Sequence, residues 1–219
     1  MSCEINETLW KHGYELTNQI GKGGFASVYS ILSTKYQETY VAKTIQNDTS
    51  KRNGNSNSFL SEIEALKSIV HPNIVSIYNH FTDSSFFYII LEFCPGGNLG
   101  EFIRKHGVLT RNDFFNYSRQ ILNALHYMHL RKMAHRDIKP ANIFLDAYGR
   151  VKLGDFGLAI TSNELCKTFS GSQAFQAPEI VKKLPFCPMK ADIWAFGVTM
   201  YYLAIGDLEF SEQKCTESD

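Results

Sequence analysis

Ala134-His135-Arg136-Asp137-Ile138-Lys139-Pro140-Ala141-Asn142 leads through Ile143-Phe144-Leu145-Asp146-Ala147-Tyr148-Gly149-Arg150-Val151-Lys152-Leu153 to Gly154-Asp155-Phe156-Gly157. Asp137 and Asn142 stand five residues apart in one segment, and Asp155 follows thirteen residues after Asn142. Two short apolar runs joined by Asp146–Gly149 separate them, which predicts a hairpin flanked by the polar residues. Asn142 and Asp155 offer hard oxygen ligands of the kind Mg²⁺ prefers. Asp137 supplies a carboxylate able to accept a proton from a hydroxyl. The spacing suits metal-bound nucleotide held beside a hydroxyl nucleophile.

The rest of the chain must supply a frame for that loop. With 219 residues and 44% hydrophobic content, it can bury a substantial core as one or two compact units. Twenty-two basic residues balance 22 acidic ones, so no overall field draws the chain to nucleic acid or to an anionic membrane. Any anion must therefore be caught locally. Cys3, Cys94, Cys166, Cys187 and Cys215 are scattered without a C-x-x-C pair, which fits a reducing, intracellular setting, the cytoplasm and also the nucleus. Residues 1–16 lack the apolar core of a secretory signal, and Ser2 excludes N-myristoylation. The apolar stretch Ile193–Ile205 is too short for a bilayer core of roughly 30 Å and reads as a buried helix.

From Tyr14 to Phe93, β-branched and aromatic runs separated by turn residues predict strands, with one helix where Leu60, Ile63, Leu66, Ile69 and Val70 recur at helical spacing. The Asn- and Ser-rich stretch 47–58 reads as a solvated loop. Pro95-Gly96-Gly97 punctuates the chain, and beyond it the character turns helical, most clearly over 110–130. The predicted division is an N-terminal extension over 1–13, a small lobe over 14–93, a hinge over 94–98 and a large lobe over 99–219.

Ile20-Gly21-Lys22-Gly23-Gly24-Phe25-Ala26-Ser27-Val28 joins two predicted strands. Glycines there let backbone N–H groups approach phosphate oxygens, although the same residues also make ordinary tight turns. On the next strand, Val41-Ala42-Lys43 sets a lysine among apolar residues, either an edge lysine facing water or a phosphate partner. Glu62, with Glu64 as competitor, lies on the predicted helix at a place suited to pairing with Lys43.

In order along the chain, the glycine loop, Val41-Ala42-Lys43, HRDIKPAN, DFG, Ala177-Pro178-Glu179 and Asp192-Ile193-Trp194-Ala195-Phe196-Gly197 resemble the motif set of the eukaryotic protein kinase superfamily from Ile20 to about Gly206. The resemblance implies an α+β, bilobal fold with a β-rich small lobe and a mainly helical large lobe. It implies ATP and Mg²⁺ as cofactors, with Asp137 as general base and Lys139 neutralising charge on the transferring phosphate. It favours Glu62 over Glu64 as the partner of Lys43. Asn142 and Asp155 become metal ligands. Ile20 to Ala26 cover the phosphates, and Val28, Ala42 and Phe144 sandwich the base. Leu91 takes the gatekeeper position, with the backbone around Glu92 and Cys94 at the adenine edge. His135 and Phe156 are packing residues. Arg136 would grip a phosphate on Thr168, installed by an upstream activating kinase, and Ser172 would line the substrate site.

Lys139 in HRDIKPAN is similar to serine/threonine rather than tyrosine kinases. Gly171–Glu179 and Gly197-Val198-Thr199 look most like the calmodulin-dependent kinase kinase and liver kinase B1 group. After the Trp194 helix the chain ends in a polar stretch where such domains continue for several helices. That leads us to expect a shortened large lobe, an exposed apolar face on the helix, and Glu179 without its customary arginine. Two classes follow: a serine/threonine kinase acting on a protein substrate, or a noncatalytic kinase-like module that binds nucleotide or a partner covering the exposed lobe. A small-molecule phosphotransferase is disfavoured by Ala177-Pro178-Glu179.

Overall fold

The computed structural model describes residues 2–23, 26–47, 67, 69–161 and 165–208. They form two compact units, residues 1–70 with 75–93 and residues 71–74 with 94–219. His71–Ile74, within the stretch read as small lobe, therefore belongs to the second unit. The predicted 58–70 helix, the 47–58 loop, Gly24, Phe25 and Glu62 lie outside the described residues, apart from isolated positions.

In the first unit, β1 (Tyr14–Lys22), β2 (Ala26–Ser33), β3 (Thr39–Gln46), β4 (Ile77–Thr82) and β5 (Phe86–Glu92) pair antiparallel in the order β1-β2-β3-β5-β4. β2 carries buried Tyr29 and Ile31 at a spacing of two, the period of a strand with one face in a core. Residues 2–11 form a helix, α1 (Ser2–Lys11), with Glu4 in the first turn and Lys11 in the last, each at the end where the helix dipole favours its charge. Its Ile5 and Leu9, one turn apart, are buried with Tyr29, Ile31, Ala42, Tyr88 and Ile90. Thr8 Oγ1 and the Tyr88 hydroxyl both donate to Asp83 Oδ2, at 2.8 and 2.7 Å, tying the helix to the β4–β5 turn. The N-terminal extension is thus part of the small-unit core.

Truncating Leu9, which is 0% exposed, should open a cavity costing about 2–5 kcal/mol. Leu9→Ala is expected to lower the urea midpoint of the first unit, while Trp10→Ala, at a 63% exposed site, leaves it unchanged. Equal midpoints for the two variants would remove α1 from the core.

The second unit is built on α2 (Leu99–His106), α3 (Arg111–Leu130), α4 (Pro178–Val181) and α5 (Pro188–Ile205). Asn98 and Thr110 cap α2 and α3 by accepting from Glu101 N–H and Asp113 N–H. The predicted hairpin is present as β7 (Ile143–Leu145) and β8 (Val151–Leu153), after β6 (Met133–Ala134), which pairs with β9 (Ile160–Thr161). Asp146 closes its turn by accepting from Tyr148 N–H, Arg150 N–H and Arg150 Nε. Asn73 Nδ2 donates to Gln120 Oε1 and to the Val151 carbonyl, each at 2.9 Å, which is why 71–74 packs here.

The hinge residues lie along this hairpin. Gly96 N–H donates to Leu145 O and Leu145 N–H to Gly97 O, and a Cβ on Gly96 would meet Leu145 Cβ at 2.7 Å. α5 is buried on one face only, through Ala191, Asp192, Ala195, Thr199, Met200 and Leu203, whereas Ile193 and Trp194 are each 48% exposed. The reading of this stretch as a buried helix therefore holds for one face only, and the other carries exposed apolar side chains. Among the described residues, no helix is long and apolar enough to cross a membrane.

Candidate active site

The side chains singled out from sequence fall into two sets, one on each unit. On the sheet of the first unit, Lys43 is half-buried and sits opposite Val28 on β2 and Ile89 on β5. Side chains directly across a ladder share a face and alternate along a strand, so Val28, Val41, Lys43, Ile89 and Leu91 line one face. Ala42 lies on the other face, fully buried with Tyr29, Ile90, Ile5 and Leu9. The assignment of Ala42 to the base-lining set is therefore corrected: the residue beside Lys43 on its own face is Val41. At the glycine loop, Gly23 N–H donates to Ala26 O at 2.8 Å, and Ile20 and Lys22 are exposed. Glu92 is held by its own ends, its N–H on Ser76 O and its carboxylate on Ser76 N–H.

The second unit gathers the catalytic-loop set. Asp137 Oδ1 accepts from Ser172 N–H and Ser172 Oγ, both at 3.0 Å, and Oδ2 accepts from Asn142 Nδ2 at 2.9 Å and Lys139 Nζ at 2.8 Å. Lys139 Nζ also donates to Ser172 Oγ at 2.7 Å. Burial pushes the Asp137 carboxyl up, but Lys139, Ser172 N–H and Asn142 outweigh it and hold the group below the usual carboxylate range. It is ionised at neutral pH. Because Asn142 spends its amide N–H groups on Asp137, its amide oxygen is the end left to face a cation. Asp155 is exposed with a left-handed φ of 58°. Among the described residues, no group of three or more His, Cys, Asp or Glu side chains is arranged to hold an ion. An amide and a carboxylate fit Mg²⁺ that completes its shell with water and substrate phosphates. Phe144 on β7 is half-buried beside Asn98.

What holds this loop is Asp192 on α5. Only 1% exposed, it accepts from His135 N–H (2.9 Å), Arg136 N–H (2.8 Å) and His129 Nε2 (2.9 Å). These bonds secure Arg136 at a φ of 68°, unusual for a residue with a Cβ. His135 is fully buried; its Nε2 donates to Gly154 O at 2.9 Å and its Nδ1 accepts from Asp137 N–H at 3.3 Å. Burial drives its pKa down against the nearby Asp192, so it remains neutral and joins the loop to the Asp155 segment. The tilted Phe156 ring packs 5.1 Å from it.

Arg136 Nη2 reaches the stretch that follows β9, donating to Thr168 O (2.9 Å), Thr168 Oγ1 (3.1 Å) and Ser170 Oγ. Gly171 follows at φ 98°, and a Cβ there would lie 2.6 Å from Arg136 O. Gly171→Ala should thus strain the backbone by about 1–2 kcal/mol from conformation alone and displace Ser172 from Asp137. A large fall in turnover and a melting temperature lower by a few degrees are expected; unchanged turnover would contradict the close approach. Gln176 Nε2 braces the segment through Ser170 O and Gly171 O. Among the described residues, no cation pairs with Glu179, whose half-exposed carboxylate can be solvated. His129, Ser170, Gln176 and Val41 went unnoticed in the sequence; only Val41 had a local signal, the strand period counted from Lys43.

The order of elements and this catalytic-loop geometry define a protein kinase domain, and the chain belongs to that family, which matches residues 14–219. It is 39% identical over 201 residues to the cell cycle serine/threonine-protein kinase CDC5/MSD2 of Saccharomyces cerevisiae, covering 90% of this chain and 28% of that protein. It is 34% identical over 204 residues to CBL-interacting protein kinase 32 of Oryza sativa subsp. japonica, covering 91% and 47%. It is likewise 34% identical over 205 residues to NUAK family SNF1-like kinase 2 of Rattus norvegicus, covering 93% and 32%. The chain spans less than half the length of these relatives.

Proposed function

We propose that this chain transfers the γ-phosphoryl group of ATP to a serine or threonine hydroxyl of a protein substrate. The observation that carries the reading is the ionised Asp137 carboxylate, oriented on both oxygens by Ser172, Asn142 and Lys139. Asp137 accepts the substrate hydroxyl proton as the oxygen attacks phosphorus. Lys139, already bridging Asp137 and Ser172, offsets charge on the group in transfer. Asn142 and Asp155 would hold Mg²⁺, which would supply positive charge to offset that of the substrate phosphates. On the first unit, Lys43 serves the nucleotide phosphates, and Val28, Val41 and Leu91 offer an apolar face suited to a flat base. Arg136 beside Thr168 supports control by a phosphate on that threonine, placed by an upstream kinase.

The test is turnover of Mg-ATP on a generic protein substrate, with the product hydrolysed and its phosphoamino acids identified. Phosphoserine and phosphothreonine from the parent, absent with Asp137→Asn, support the enzyme. No transfer by either chain, with nucleotide still raising the melting temperature, would replace it with a nucleotide-binding module.

A further inference from the structure

From Ala191 to Gly206, along most of α5, Asp192 is the only charged residue, and it is buried. The face of the helix turned away from it carries Ile193, Trp194, Gly197, Tyr201, Ala204 and Ile205, all exposed. Recurring at three or four residues, they form one continuous apolar stripe. Soluble chains rarely leave such a stripe to water, and it marks a site of association. The order of sizes along it is informative. Trp194 and Ala204 lie five residues on either side of Thr199, Gly197 and Tyr201 two, and Ile193 and Ile205 six. Each ring is thus mirrored by a small residue, and isoleucine by isoleucine. The ends are complementary in charge: exposed Lys190 precedes Thr199 by nine residues, and exposed Asp207 follows it by eight.

We propose that this stripe packs against the same stripe of a second copy of the chain, the two α5 helices running antiparallel about a two-fold axis level with Thr199. A two-fold interface must complement itself, since each patch meets its own copy. In an antiparallel pair, positions equally far from the axis come level with one another. Trp194 then lies level with the partner's Ala204, and Tyr201 with the partner's Gly197, so the rings fill the hollows that small residues leave. A parallel pair would set ring against ring and hollow against hollow. The antiparallel pair also brings Lys190 beside the partner's Asp207, once at each end, whereas a parallel pair would set lysine against lysine. Because Asp192 lies on the opposite side of the helix, its bonds to His135 N–H and Arg136 N–H are left intact. One helix face makes a small interface, so the dimer is weak and forms in the micromolar range.

Sedimentation equilibrium of the whole chain, from about 1 to 100 µM, tests the pairing. It requires no turnover, so it stands or falls separately from the catalytic reading. The parent should pass from the mass of one chain to that of two over this range and rise no further. Gly197→Glu should abolish the rise. A Cβ at Gly197 would meet nothing within 4 Å, so the variant keeps the fold while setting two carboxylates close to the axis. Lys190→Glu and Asp207→Lys should each weaken association about tenfold, and the double reversal should restore the parental constant. Residues needed only for folding would not give that restoration. A parent that stays a single chain throughout would overturn the proposal, as would a dimer that survives Gly197→Glu or open-ended growth past two chains. A double reversal that associates no more tightly than the single variants would overturn the antiparallel arrangement.

Discussion

Asp192→Ala is expected to cost the second unit about 3–5 kcal/mol and to abolish measurable turnover. The side chain is 1% exposed and its two oxygens satisfy one buried and one partly buried backbone N–H group and one imidazole. Removing it leaves those donors without partners, and each unsatisfied buried group costs about 1–3 kcal/mol, some of it recovered by relaxation. The loop carries a second liability. Arg136 holds a left-handed conformation, and that backbone persists only while its surroundings impose it. Without Asp192, Arg136 can relax to negative φ, which swings Asp137 away from Ser172 and the Arg136 side chain away from Thr168. Urea denaturation of the second unit and a phosphoryl-transfer assay check the two halves of the result. Asp192→Asn separates them: it keeps one acceptor oxygen and nearly the same volume, so it should recover much of the stability but less of the turnover. Full activity in the alanine variant would show that the loop keeps its shape by other means.

The part of this architecture legible in the sequence is the part encoded by neighbours. Asp137, Lys139 and Asn142 sit within six residues, and the turn around Asp146 dictates the hairpin that follows, so the composition of the loop carried its geometry. The anchor of that loop is different. His129 and Asp192 are 63 residues apart, and nothing local distinguishes His129 from His126, the other histidine of α3. α1 shows a third case. Ile5 and Leu9 have helical spacing, yet a helix of 10 residues is marginal alone, and only burial against Tyr88 and Ile90 makes it persist. Its existence is a tertiary fact.

Ala42 and Val41 illustrate how a motif can mislead when it is matched by residue type. Alanine next to the lysine looks like the small residue that lets a flat ring approach. Strand alternation is stricter than that likeness, since a shift of one residue moves a side chain to the opposite face of the sheet. Counting by two from Lys43 reaches Val41, and cross-strand pairing with Leu91 places it on the same face as Val28 and Lys43. Where a pattern and a period disagree, the period is the physical constraint.

The same discipline applies to Asp137, where Asn is nearly isosteric and still should lower turnover by about 10²–10⁴-fold. The loss has two sources. An amide cannot accept the substrate proton at neutral pH, and it brings a donor into a site in which every neighbour already donates: Ser172 N–H on one oxygen, Asn142 Nδ2 and Lys139 Nζ on the other. Whichever way the amide turns, an N–H group meets another donor. A stability loss of about 1–3 kcal/mol is therefore expected alongside the kinetic one. Both follow the ionisation of the same carboxyl. Because the folded carboxyl titrates below its unfolded value, its stabilising contribution is present above the unfolded pKa and disappears as pH falls through the folded one. The parent and Asp137→Asn should thus differ in melting temperature at pH 7 and converge in acid, and the turnover difference should shrink over the same range, because the proton that removes the stabilising charge also disables the parent's Asp137 as a base. A constant gap in melting temperature down to the acid limit would mean that Asp137 is not held as an anion by this cluster, and the assignment of Asp137 as base would lose its electrostatic support.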